Sequence, residues 1–81
     1  MSVQNAMRQV KLTNQEHTTR RLRMEIERLC KTICINLDCS MQRPEALLIS
    51  EVDSQWDELK NKWVNLTIVL EEIARLKAEL E

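Results

Sequence analysis

From Ile49 onward the apolar residues recur at alternating intervals of three and four: Ile49, Val52, Trp56, Leu59, Trp63, Leu66, Leu70 and Ile73, with Leu80 back in register. At 100° per residue this spacing keeps them on one side of an α-helix, and it matches positions a and d of a heptad. Leu48, Val69, Ala74 and Leu76 fall at the flanking e and g positions and widen the stripe toward the end of the chain. The pattern predicts a coiled-coil helix over residues 45–81 whose face is broad enough for three or four helices rather than two. Lys77 takes an a position as the single polar exception. On the outside, Glu58 with Lys62 and Glu71 with Arg75 stand four apart in the favourable order, and each pair is expected to add a few tenths of a kcal/mol.

A second stripe precedes this one. Leu22, Ile26, Leu29, Ile33 and Leu37 recur at intervals of four and three and predict an amphipathic helix over residues 13–41. Its start is marked by Thr13-Asn14-Gln15-Glu16, which has the form of a capping box. Val3, Met7 and Val10 have helix-compatible spacing but do not continue the stripe, so residues 1–12 read as a separable arm, flexible or weakly helical. Cys30, Cys34 and Ile35 carry apolar character beyond the stripe, as if a further helix covered this segment. Pro44 cannot continue a helix but suits the first position of a new one, which makes residues 42–44 a turn and sets Glu45 against the positive end of the second helix. The fold class expected is one all-α domain, a helical hairpin with coiled-coil heptads that completes a three- or four-helix bundle by oligomerisation or partner binding.

Composition supports this and removes alternatives. The 81 residues include no Gly and one Pro, which leaves β-hairpins and phosphate-cradling loops without their turn residues. A chain this short buries only a marginal core by itself. The net charge of −1 conceals a basic first half and an acidic second half, which favours laying one on the other antiparallel. Three cysteines, an odd number without a hydrophobic leader ahead of them, fit a reducing compartment, so an intracellular location in cytoplasm or nucleus is expected. No apolar run approaches the roughly 20 residues that span a bilayer.

Candidate chemistry is sparse. Cys30 and Cys34 lie one helical turn apart, but along a helix His17 would stand about 20 Å from Cys30, and Cys39 would point away from Cys34. The cysteines are therefore expected to act as small buried apolar residues, with no metal and no cofactor. His17 falls on the charged face. No nucleophile, base and orienting group converge, so no catalytic residues are assigned and an enzyme is not expected. Asn65-Leu66-Thr67 has the form of a glycosylation acceptor, but Leu66 is a core position.

The functional expectation is a structural, assembly-type coiled-coil subunit that mediates protein–protein interaction with other coiled-coil or helical subunits, as a homo- or hetero-oligomer. Its candidate interface is Leu22, Ile26, Leu29 and Ile33 facing Ile49, Val52, Trp56, Leu59, Trp63, Leu66, Leu70, Ile73 and Leu80. The alternative is an oligomeric adaptor in which the basic arc Arg20, Arg21, Arg23, Arg28 and Lys31 binds an acidic polymer: nucleic acid, a microtubule or an anionic membrane. The interleaved Glu25 and Glu27, and the lack of an aromatic residue for base stacking, disfavour nucleic acid. The run Val52, Trp56, Leu59, Trp63, Leu66 resembles the Trp-x-x-Leu helices of spectrin repeats. The likeness covers the second helix alone, and a full repeat would need the segment before Thr13 as its third helix.

Overall fold

The computed structural model describes residues 3–80. Two long helices, α1 (Val3–Ser40) and α2 (Ile49–Leu80), are joined through a 3-10 turn at Pro44–Ala46. They form an antiparallel hairpin 63 Å long and about 15 Å across. The register is fixed by cross-helix pairs whose α2 members recede as α1 advances: Arg8 with Glu79 at 3.4 Å, Lys11 with Glu72 at 3.3 Å, Glu25 with Lys62 at 3.0 Å and Asn36 with Gln55 at 2.9 Å.

The first helix is longer than its apolar stripe suggests. It passes unbroken through Thr13, whose hydroxyl donates to the carbonyl of Gln9 at 3.0 Å, a bond made inside a helix rather than at its start. Thr18, Thr19, Thr32 and Ser40 donate to the carbonyl four residues back in the same way. The separable arm is therefore corrected: residues 3–12 are the opening turns of α1, and Leu12 is buried with Ile73 and Leu76, with Val69 and Leu80 packed against them. Hydrophobic burial, worth about 1.5–3 kcal/mol for a leucine, outweighs a local capping signal worth about 1 kcal/mol.

The chain reverses without a left-handed residue, and no described residue has positive φ. A helix end that offers neither Gly nor Asn disfavours the usual left-handed cap. Instead the amide of Met41 bonds the carbonyl of Asp38, and Arg43, kept out of the helical region by Pro44, stands at φ −139° and ψ 80° before the 3-10 turn. This makes the connection longer than the predicted 42–44 turn and moves the start of the second helix from Glu45 to Ile49. Glu45 pairs with Arg43 at 3.4 Å, and the acidic residue in the first turn of α2 is Glu51.

On α1 the seam keeps a strict heptad: Leu12, Thr19 and Leu22 are buried, and Gln15, Ile26, Leu29, Ile33, Asn36 and Ser40 are half-buried. Leu37, expected on the stripe, is exposed, and Asn36 takes the seam position because its amide reaches Gln55. On α2 the seam consists of Val52, Leu59, Leu66, Ile73 and Leu80 together with Gln55, Lys62, Val69 and Leu76. The predicted a positions are not in it. The helix is turned by about 60° from the a/d register, so that d and g face α1. Toward the end of α2 this rotation brings Leu76 against Leu12 and leaves Lys77 outside, and nearer the turn it places Lys62 and Gln55 in the seam, where Glu25 and Asn36 pair with them.

The rotation also reassigns the expected ion pairs. Lys62 reaches Glu25 across the seam rather than Glu58, and Arg75 lies 3.8 Å from Glu72 rather than pairing with Glu71.

Candidate interaction surface

Because d and g of α2 face α1, position a is left on the flank of the hairpin. Ile49, Trp56, Trp63 and Leu70 are 66%, 51%, 59% and 37% exposed. They recur every seven residues, about 10.5 Å apart, and form an apolar row about 32 Å long. A shallow groove lined by Glu16, Thr19, Arg20 and Arg23 of α1 and by Leu70, Ile73 and Lys77 of α2 shows which side of α1 the row adjoins. Seven and fourteen residues beyond Arg23, the heptad carries the same flank of α1 through Cys30 and Leu37, both exposed.

The opposite flank carries polar pairs that bridge the two helices. Glu72 accepts from the side-chain amide of Gln15 at 2.7 Å and lies 3.3 Å from Lys11. Glu25 accepts a 3.0 Å hydrogen bond from Lys62. That bond holds the Glu25 carboxyl below its ordinary value, against the opposing effect of desolvation and with further help from the positive charges of Lys62, Arg21 and Arg28. The two flanks thus differ: on one, polar pairs bridge the helices beside an open groove where Val3, Met7 and Val10 are exposed, and the other presents the heptad row of large apolar side chains to water.

Of the candidate interface residues, the structure brings Leu22, Ile26, Leu29 and Ile33 together with Val52, Leu59, Leu66, Ile73 and Leu80 along the seam. It does not bring Ile49, Trp56, Trp63 and Leu70 there. Leu12 and Leu76, absent from that candidate set, form the buried cluster with Ile73, and Val69, also absent, packs against it.

The basic arc is divided. Arg21 pairs with Glu25 at 3.7 Å and Lys31 with Glu27 at 3.1 Å, both within α1, while Arg20 and Arg23 line the groove beside Leu70. The cross-helix attraction expected between a basic first half and an acidic second half is carried by Arg8 and Lys11, and at Glu25 and Lys62 its sense is reversed.

Cys30, Cys34 and Cys39 are exposed, which corrects their expected burial, and His17 is exposed as well. Among the described residues, no group of three or more His, Cys, Asp or Glu side chains is placed to hold a metal ion. No described helix is long and apolar enough to cross a membrane.

The chemistry open to such a surface is exclusion of water against another apolar helix. In the comparisons with known proteins, no family matches the chain, and neither a curated protein nor a solved structure does.

Proposed function

We propose that the chain is a structural coiled-coil subunit, a two-helix platform that completes a three- or four-helix bundle with other helical protein. The observation that supports this reading is the exposed heptad row Ile49, Trp56, Trp63 and Leu70. In a two-stranded coil the positions flanking the seam carry charge, often Glu or Lys, because they stay wet. Two tryptophans and two aliphatic residues at that edge are the composition of a seam still to be covered.

The internal seam points the same way. Gln15, Asn36, Gln55 and Lys62 sit in it, and none of the large side chains described is fully buried. A core this thin leaves a small chain near the limit of stability, and burying the row against another helix adds to it.

The test is sedimentation velocity of the chain, alone and with helical partners, beside a Trp56→Ser/Trp63→Ser variant. The expected result is an assembly larger than the monomer that the double variant loses while its helical circular dichroism persists. A monomer that melts cooperatively, is fully helical at micromolar concentration and shows water-exposed tryptophan fluorescence in every mixture would overturn the reading.

A further inference from the structure

We infer that the occupant of the exposed row is a second copy of this chain, docked face to face about a two-fold axis that crosses the hairpin midway between Trp56 and Trp63. The inference rests on the assembly reading above and narrows it to one partner and one geometry. Along the row the side chains run aliphatic, aromatic, aromatic, aliphatic, an order that reads the same in both directions. A two-fold interface requires a self-complementary patch, since every contact occurs twice with the roles exchanged. Turning the hairpin end for end about that axis sets Trp56 on Trp63 of the second copy and Ile49 on its Leu70, at the same 10.5 Å intervals. A foreign helix would have no need of such symmetry.

Charge and side-chain size are compatible with a second copy. Near the axis Lys60 is turned to Asp57 at 3.1 Å and Glu27 is paired with Lys31 at 3.1 Å, each within its own chain. With a net charge of −1, two copies do not repel strongly. The row, about 32 Å long on a hairpin about 15 Å across, carries two tryptophans, the large side chains that anchor such interfaces.

The arrangement has an internal marker. Glu25 is level with Lys62, so Cys30, five residues further along α1, lies within about one helical turn of the axis on the flank that adjoins the row. Cys39 lines a different groove with Leu48 and Glu51, far from the axis.

The experiment combines sedimentation equilibrium of the full chain with cross-linking of two single-cysteine variants. Twice the chain mass is expected, and Trp63→Glu should raise the dimer dissociation constant about 30-fold or more without loss of helical signal. A short bis-maleimide should couple Cys30 to Cys30 in the Cys34→Ser/Cys39→Ser protein and should fail to couple Cys39 in the Cys30→Ser/Cys34→Ser protein. A trimer, or a dimer that cross-links through Cys39 and not through Cys30, overturns the geometry. A monomer of low helicity that folds on mixing with another helical protein overturns the second copy and leaves the assembly reading standing, whereas a cooperatively folded monomer indifferent to Trp63→Glu overturns both.

Discussion

The Lys62 ammonium lies 3.0 Å from a carboxylate oxygen of Glu25, across the seam from the second helix to the first, and so reverses the charge sense of the two halves of the chain. Its hydrogen bond holds the Glu25 carboxyl below the ordinary glutamate value of 4.5. A carboxylate whose folded pKa is depressed stabilises the fold fully above its unfolded value, and the contribution is lost as pH falls through the folded one. The hairpin should therefore lose stability as pH drops below about 4.5, and Glu25→Gln should flatten that part of the profile. Thermal melts of parent and variant between neutral and acidic pH check this; parallel profiles would show that the pair does not couple to folding.

Asn36 and Gln55 meet at 2.9 Å inside the seam, where a sheltered amide left without its partner costs about 1–2 kcal/mol. Asn36→Leu alone should destabilise by about that amount, and Asn36→Leu with Gln55→Leu should recover it or exceed the parent. Chemical denaturation of the two single variants and the double one measures the coupling.

Leu76, 3% exposed, and Trp63, 59% exposed, belong to different faces. Leu76→Ala should lower stability by about 2–4 kcal/mol at every protein concentration, since it opens the core of the hairpin. Trp63→Ala should act through assembly, so the parent Tm should rise with concentration while that of the variant does not. Melts across a hundredfold concentration series separate the two.

Removing residues 1–12 takes away Leu12 and the partners Arg8 and Lys11 of Glu79 and Glu72. The last turns of α2 then lose their cover over Ile73 and Leu76. Hydrogen exchange of the amides from Leu66 to Leu80 should become markedly faster in the truncated protein, with the region near the turn little changed. Unchanged protection there would show that the opening turns of α1 are dispensable.

The sequence by itself determined that the chain is helical, that Pro44 lies in the reversal and that the second helix carries a broad apolar face. Those properties follow from periodicity, from proline and from the absence of glycine, each of which acts within a few residues. The opening of α1 was less legible, because its heptad runs through Leu12, Gln15 and Thr19, and polar residues at seam positions hide the repeat until their partners are known. Only the tertiary structure decided which 60° sector of α2 turns inward. The a/d and d/g sectors share Val52, Leu59, Leu66 and Ile73, and on an isolated helix the a/d sector is the more apolar, since Ile49, Trp56, Trp63 and Leu70 stand at a where Gln55, Lys62, Val69 and Leu76 stand at g. The choice between them depends on what stands opposite: Leu12 receives Leu76, Glu25 receives Lys62 and Asn36 receives Gln55, and these are contacts between residues far apart in the chain. Once that sector is inside, Trp56 and Trp63 are left on the flank.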